Sequence, residues 1–256
     1  MSAVAEAIRH DVHPIDHLVE PDARLIMAHD PFDPRCERIR ALRTELLLRR
    51  EADDRGDIVA LLSPGTGEGR SLLAAELAIA FAQTGHPTLL VDADMRRPKV
   101  HEAFGCPLAP GLSNALIGET AVAGAIHESV KDNLSILSAG TLPPNPPELL
   151  GSSPFAEMLT AMSCRFDWVV LDSPPIRAVA DAAIIAHLAT TVAFVVGAEM
   201  TDANSARSAL ERLAATKGRV AGAVLNRVQL RRHSYYYARY YDRADERYYV
   251  HRDSRA

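Results

Sequence analysis

A series of six short, continuously apolar segments is the feature that most constrains the fold of this chain. These segments lack the polar alternation of a half-exposed strand, and such runs are typical of parallel strands covered by helices on both faces. Helical patterns lie between most of them, with connections short enough for right-handed crossovers. We therefore predict an α/β fold with a doubly wound, mainly parallel sheet. The predicted strands are 57–63, 88–94, 134–137, 168–173, 191–198 and 220–226, and the predicted helices are 36–50, 71–84, 153–164, 179–189 and 202–217.

Composition divides the chain into three parts. Residues 1–34 are rich in Asp, His and Pro, which disfavour long helices, and they are predicted to form an extended N-terminal arm. Residues 35–228 carry the α/β pattern. Residues 229–256 hold seven arginines, four acidic residues and all seven tyrosines of the protein, and this segment is predicted to be a flexible tail.

Charge and cysteine content exclude several classes of protein. The net charge of −5 argues against a dedicated duplex-DNA binder, whose surface is usually basic, so no nucleic-acid partner is expected. The three cysteines, Cys36, Cys106 and Cys164, lie far apart and indicate neither a disulfide framework nor a zinc site. No run of about 18 apolar residues occurs, and we expect a cytoplasmic protein that does not itself span a membrane.

A glycine-rich turn follows the first predicted strand and leads into a helix, which is the setting of a P-loop. Its backbone N–H groups can face phosphate oxygens, and the Ser71 hydroxyl is placed to bind Mg²⁺. Pro64 replaces the usual first glycine, and Arg70 replaces the lysine that reaches the β- and γ-phosphates. A glycine turn that only permits tight packing is the structural alternative. The predicted nucleotide-binding residues are Gly65, Thr66, Gly67, Glu68, Gly69, Arg70, Ser71 and Leu72.

Three aspartates end two of the other predicted strands. Asp92 and Asp94 close one strand and Asp172 closes another, so all three are expected at the carboxyl edge of the sheet beside the glycine turn. Asp94 and Asp172 are predicted to hold Mg²⁺ with Ser71, and Asp92 to orient or deprotonate an attacking hydroxyl. With Arg70 they form the predicted catalytic set. Each aspartate by itself is also a plausible helix cap.

Five segments together resemble the bacterial tyrosine autokinases of capsule and exopolysaccharide synthesis, called BY-kinases. They are SPGTGEGRS (63–71), VDADMRRPKVH (91–101), PGLSNALIGE (110–119), AGTLPPNPPELL (139–150) and FDWVVLDSPP (166–175). The resemblance implies a P-loop NTPase with deviant Walker motifs that uses ATP and Mg²⁺. It further implies that Asn226 contacts adenine, although an ordinary strand-end asparagine is an equal alternative.

The resemblance also implies partners. Glu37, Arg40 and Arg43 match the ExxRxxR pattern that joins subunits into a ring, whereas the residues alone also fit a solvated row on one helix face. The segment VEPDARLIMAHDPFDP (19–34) resembles the subgroup that works beside a separate membrane chain-length-determinant protein. Such a partner would recruit the protein to the inner face of the membrane.

The tyrosines of the tail are predicted phosphate acceptors that enter the active site of a neighbouring subunit. Interleaved Tyr and Arg could instead stack on single-stranded nucleic acid or lie at a membrane surface. Phosphorylation would turn a positive tail negative, repel it from the site aspartates and release subunits, and a tyrosine phosphatase would reset it. The predicted acceptors are Tyr235, Tyr236, Tyr237, Tyr240, Tyr241, Tyr248 and Tyr249.

The resulting functional hypothesis is a tyrosine autokinase that acts in trans on this tail and regulates exopolysaccharide chain length or export. Two alternatives stay open. Because of Arg70, the protein could be a catalytically weak or inactive nucleotide-binding scaffold of the same assembly. A partitioning-type ATPase could share the fold, but the additional early lysine usual in that class is absent from residues 57–71.

Overall fold

The structure, a computed structural model, describes residues 20–50, 55–129 and 131–229, together with the backbone of residues 13–14. Residue contacts divide the chain after Asn226. The first unit contains the α/β fold. The second begins at Arg227 and lies almost entirely outside the described residues, as do the seven predicted acceptor tyrosines.

The sheet confirms the predicted doubly wound, mainly parallel architecture. Its strand order is β1-β4-β5-β3-β6-β2-β7-β8, and in the described residues only the pairing of β4 with β5 is antiparallel. All six predicted strands are present, and the short strands β1 and β4 were not predicted. The strands are β1 (His13–Pro14), β2 (Asp57–Leu62), β3 (Thr88–Asp92), β4 (Ile126–Glu128), β5 (Leu134–Leu137), β6 (Trp168–Asp172), β7 (Thr191–Gly197) and β8 (Arg219–Asn226).

The five predicted helices are present, with ends that differ from the prediction by a few residues. Helices of four or five residues were missed because so short a segment shows no helical periodicity. No helix in the described ranges has the length and apolar character needed to cross a bilayer. The helices are α1 (Ile26–His29), α2 (Cys36–Leu48), α3 (Arg70–Ala82), α4 (Val100–Phe104), α5 (Leu112–Leu116), α6 (Val122–Ala125), α7 (Pro146–Leu150), α8 (Ser153–Ser163), α9 (Asp181–Leu188) and α10 (Ala203–Ala214).

Side chains of the central strands alternate between two apolar layers. In β2, Ile58, Ala60 and Leu62 pack into the layer formed with α8, α9 and α10, whereas Val59 and Leu61 pack into the layer formed with α2 and α3. All five are buried. Burial on both faces explains why the sequence of this strand is continuously apolar.

Residues 20–34 differ from the predicted extended arm, because they pack on the α/β unit. Leu25 and Met27 are fully buried, and the backbone N–H groups of Ile26 and Met27 donate to the Glu76 carboxylate of α3 at 2.6 and 2.9 Å. The Lys131 ammonium group also donates to the Ala28 carbonyl oxygen at 2.8 Å. The few buried apolar residues were too sparse to signal this packing in a Pro- and Asp-rich segment.

We expect Glu76→Ala to lower the free energy of unfolding by about 2–4 kcal/mol, because it leaves two backbone N–H groups without an acceptor in a largely buried position. Glu76→Gln keeps one acceptor oxygen and should lose less. Urea unfolding followed by circular dichroism measures both. Equal stability of Glu76→Ala and the parent protein would contradict this role.

Candidate functional site

The glycine-rich turn connects the end of β2 to α3, as the sequence predicted. Gly67 and Gly69 have φ values of +79° and +80°, a backbone region that side chains with a Cβ rarely adopt. Gly69 is the residue immediately before α3. The turn therefore requires glycine at two positions and ends at a helix N-terminus, whose free N–H groups favour anions.

The Glu68 carboxylate holds this turn to the next strand. It is only 3% exposed, and its two oxygens accept hydrogen bonds from the backbone N–H groups of Gly65 and Gly197, each at 2.7 Å. The Asn226 side-chain amide donates to the Glu68 carbonyl oxygen at 2.9 Å. Glu68 thus braces the turn against the end of β7 through its side chain and against the end of β8 through its carbonyl oxygen, a role that the sequence did not indicate.

The three predicted aspartates come together at the carboxyl edge of the sheet. The parallel register of β3 and β6 pairs Asp92 directly with Asp172, and Asp94 follows two residues after Asp92. All three are buried. Burial, and then the neighbouring Asp172 charge, raises the pKa of Asp92 well above its usual range.

The Asp92 carboxylate accepts hydrogen bonds from three nearby backbone N–H groups. One of its oxygens accepts from the Asp94 N–H at 3.2 Å, and the other accepts from the N–H groups of Lys99 and Val100 at 2.9 and 3.0 Å. These bonds fold the segment from Asp94 to Val100 around the carboxylate. The predicted orienting or base role of Asp92 remains a prediction, and the observed contacts give it a positioning role.

Arg70 lies among the acids and is only 8% exposed. Its Nε donates to Oδ1 of Asp172 at 3.0 Å, Nη1 donates to Oγ of Ser63 at 2.6 Å, and Nη2 donates to Oδ2 of Asp94 at 3.4 Å. Every nitrogen of the guanidinium group therefore has a partner within the protein. Ser63 was read only as part of the glycine turn, and no sequence signal assigned it to Arg70.

Asp172 retains one oxygen for a further ligand. Its Oδ2 atom is buried and forms no hydrogen bond of normal geometry within the described residues, whereas Oδ1 accepts from Arg70. Burial raises the pKa of Asp172, and the positive charge of Arg70 and the neighbouring Ser71 hydroxyl oppose this increase. A buried carboxylate oxygen that no donor reaches with normal hydrogen-bond geometry is suited to a cation.

The donor set fits Mg²⁺ that is shared with a nucleotide. Mg²⁺ prefers oxygen ligands and is usually held by one or two carboxylates, waters and substrate phosphates. Across residues 20–50, 55–129 and 131–229 there is no cluster of three or more His, Cys, Asp or Glu side chains arranged to hold a metal by themselves. Asp94, Asp172 and the Ser71 hydroxyl are the groups that would complete such a shared site.

The remaining predicted nucleotide-binding residues lie on the same edge of the sheet. Thr66 is exposed in the turn, and Ser71 and Leu72 are half-buried in the first turn of α3. Asn226 ends β8, one strand beyond β7. The structure thus groups these residues, while the contact of Asn226 with adenine stays a prediction.

The predicted oligomerisation residues contact their own subunit. Arg40 forms an ion pair with Glu37 on α2 and also donates to the Pro31 carbonyl oxygen. Arg43 donates to the Ala80 carbonyl oxygen of α3 at 3.1 Å, and burial lowers the pKa of its guanidinium group. The intrahelical pair corresponds to the alternative that the sequence left open, and ring assembly remains a prediction.

One supporting ion pair was not predicted. Arg96 donates through Nε and Nη2 to the two carboxylate oxygens of Asp181, at 2.8 and 3.2 Å, and Asp181 is fully buried at the start of α9. This pair anchors the segment after Asp94 to the N-terminal end of α9. Arg96 and Asp181 are far apart in sequence, so no local pattern linked them.

The geometry defines a class of protein: an α/β protein whose glycine turn, helix N-terminus and edge aspartates form a P-loop nucleotide site. A protein-family comparison agrees, because residues 59–250 match the CobQ/CobB/MinD/ParA nucleotide binding domain. The tyrosine-protein kinase YwqD of Bacillus subtilis is 36% identical over 212 residues, which cover 83% of this chain and 89% of YwqD.

Comparison with solved structures identifies the family within this class of nucleotide-binding proteins. The chimerical protein CapA2B2 superposes with a TM-score of 0.77 at 31% identity, covering 82% of this chain and 92% of the chimera. The kinase domain of the Escherichia coli tyrosine kinase ETK superposes with a TM-score of 0.77 at 26% identity, covering 84% and 88%. The chain belongs to the bacterial tyrosine kinase, or BY-kinase, family, as its sequence motifs indicated.

We expect Glu68→Ala to weaken nucleotide binding about tenfold, because the Gly65 and Gly197 N–H groups lose their acceptor and the turn loses its brace. Fluorescence titration with a labelled ADP measures the dissociation constant. Glu157→Ala, which removes the same charge from an exposed position on α8, is the control and should bind like the parent protein. Unchanged affinity of Glu68→Ala would refute the brace.

Proposed function

We propose that this protein is an ATP- and Mg²⁺-dependent tyrosine autokinase that phosphorylates the tyrosines of its own tail, 229–256, in a neighbouring subunit. The observation that carries the proposal is the meeting of Asp94 and Asp172 with the P-loop at one edge of the sheet. Membership of the BY-kinase family supports the same reaction. The tail supplies seven tyrosine hydroxyl groups in the same chain.

In the proposed reaction a tyrosine oxygen attacks the γ-phosphorus of ATP. The bond from this phosphorus to the β,γ-bridging oxygen breaks, ADP leaves, and the phenolic proton passes to a carboxylate of the site. Backbone N–H groups of the glycine turn and the start of α3 hold the phosphates. The Asp92 carboxylate accepts hydrogen bonds from the backbone N–H groups of Asp94 and Val100, and it thereby positions Asp94.

Asp94, Asp172 and Ser71 are the proposed ligands of Mg²⁺. When bound, this ion would neutralise the negative charge that develops on the transferred phosphate. We further propose that Asn226, at the end of β8, contacts adenine. Arg70 would supply positive charge to the phosphates in place of the usual lysine.

A nucleotide-binding scaffold without efficient catalysis is the second candidate function. The observation that favours it is the engagement of all three Arg70 nitrogens by Asp172, Ser63 and Asp94, since an arginine held there does not reach outward. None of the lysines substitutes for it by its observed contacts: Lys99 pairs with Glu102, and Lys131 binds the Ala28 carbonyl oxygen. Lys217 lies beyond the C-terminal end of α10.

The decisive experiment incubates the purified protein with Mg²⁺ and labelled ATP and maps the label by peptide digestion. We expect label on tail tyrosines, and we expect Asp172→Asn to lower it by about a hundredfold or more, because a group that stabilises the transferred charge is lost. Arg70→Lys should raise the label, because a flexible ammonium group is released more easily from the acids.

Asp167→Asn is the matched control, because Asp167 directly precedes β6 at the end opposite Asp172 and is partly exposed. It should be labelled like the parent protein. Nucleotide binding without any label in the parent or in Arg70→Lys would reject the kinase proposal in favour of the scaffold.

We also propose that the subunits form a ring through Glu37, Arg40 and Arg43, and that a membrane chain-length-determinant protein and a tyrosine phosphatase act on this assembly. Assembly would require Glu37 and Arg40 to exchange their mutual ion pair for partners on a neighbour. Surface ion pairs are worth about 1 kcal/mol or less, so breaking this partly exposed pair costs little if Arg40 keeps its bond to the Pro31 carbonyl oxygen. The assembly would regulate exopolysaccharide chain length or export.

Phosphorylation of the tail should release the subunits, because each phosphotyrosine adds about −1.5 charge or more to a segment that must approach Asp94 and Asp172. Light scattering of the protein before and after incubation with ATP measures the mass. A variant with all seven tail tyrosines changed to Phe should keep its mass with ATP. An unchanged mass after extensive phosphorylation would contradict the release mechanism.

A further inference from the structure

Arg70 and a divalent cation require the same oxygen atoms. The guanidinium group takes Oδ1 of Asp172 and Oδ2 of Asp94, and these two side chains are the carboxylates suited to Mg²⁺. Both carboxylates and the arginine are at least nine-tenths buried, so little water is available to screen the charges. A cation placed between these acids would therefore be repelled by Arg70 as long as the arginine stays there.

The shape of arginine makes this contact different from one made by lysine. A guanidinium group is a planar fork with several donors, and here it spans Asp172, Ser63 and Asp94 at once. A lysine carries a single nitrogen on a flexible stem and cannot occupy three separated acceptors with separate nitrogens. The Arg70 contact is thus a property of this chain's departure from the usual P-loop lysine.

We infer that Arg70 is a cationic plug of the metal site: its guanidinium group occupies the carboxylates of Asp94 and Asp172 and excludes a divalent cation until nucleotide phosphates draw the arginine away. The inference rests on the proposed role of these acids as metal ligands. It makes nucleotide binding a precondition for metal binding, and it explains how a basic residue can neutralise buried acids in a site that also uses Mg²⁺.

Phosphate is the group able to move the plug. Arginine binds phosphate oxygens with two parallel hydrogen bonds, and the turn and helix N-terminus place a phosphate next to residue 70. Once the guanidinium group turns to the phosphates, the vacated oxygens of Asp94 and Asp172 join the buried Oδ2 of Asp172, which has no hydrogen bond of normal geometry within the described residues. Metal and nucleotide affinities are then coupled through Arg70.

Binding of Mn²⁺ to the full chain, followed by electron paramagnetic resonance of the free ion, tests the plug without phosphoryl transfer. The titrations are made with and without saturating ADP, at a pH where ordinary carboxylates are ionised. Without nucleotide, Arg70→Gln should bind Mn²⁺ about tenfold or more tightly than the parent protein, a typical size for coupling between two sites. With ADP, the parent should gain more Mn²⁺ affinity than Arg70→Gln gains.

Arg97→Gln is the matched control. Arg97 is exposed three residues after Asp94, and its contact with Asp94 is made by the backbone N–H, which the substitution keeps. It removes the same charge from the same region but leaves the Arg70 contacts in place, so its Mn²⁺ affinity should stay within about twofold of the parent.

Arg70→Lys keeps the positive charge, and it provides a second test of the proposal if Arg70→Gln does not fold. It should bind Mn²⁺ more tightly than the parent and more weakly than Arg70→Gln. Equal Mn²⁺ affinity of the parent and both Arg70 variants without nucleotide, including no binding by any of them, would overturn the plug. The readout is cation binding and not phosphoryl transfer, so this experiment and the kinase assay test the two proposals separately. A protein that fails the kinase assay can still have the plug, and an active kinase can lack it.

Discussion

Two carboxylates buried side by side are the constraint on which the rest of the site depends. The parallel register of β3 and β6 places Asp92 opposite Asp172, where both are removed from water and repel each other. The protein compensates each in a different way. Backbone N–H groups surround Asp92, whereas Asp172 receives the guanidinium group of Arg70.

These two solutions organise the surrounding chain. The hydrogen bonds to Asp92 curl the segment up to Val100 around it, and the Arg96–Asp181 pair attaches the same segment to α9. On the other side, Glu68 connects the glycine turn to Gly197. The site therefore uses the carboxyl ends of neighbouring strands β3, β6, β2 and β7, and its ligand-facing groups are held by strands and helices rather than by the turn alone.

The architecture and the membership of the site were predictable from the sequence to a large extent. Continuously apolar strand segments and amphipathic helices are patterns that a single sequence reveals, and parallel strands bring Asp92, Asp94 and Asp172 to one edge. The packing of the segment around Leu25 and Met27 was not predictable, because Glu76, which accepts hydrogen bonds from the Ile26 and Met27 N–H groups, lies far away in sequence. The antiparallel strand β4 is only three residues long and has no distinct pattern.

By itself, the sequence determined the order along the chain of six strands and five helices, the P-loop position and the family, because these depend on local patterns and on residues that are contiguous in the chain. Only the tertiary structure decided what each charged side chain contacts. The Glu68 carboxylate braces β7, Arg96 pairs with Asp181, and Arg70 bridges Asp172 and Asp94. Such choices depend on distances between residues remote in sequence and on the high free energy of leaving a buried charge unpaired, and neither quantity is written in a local pattern.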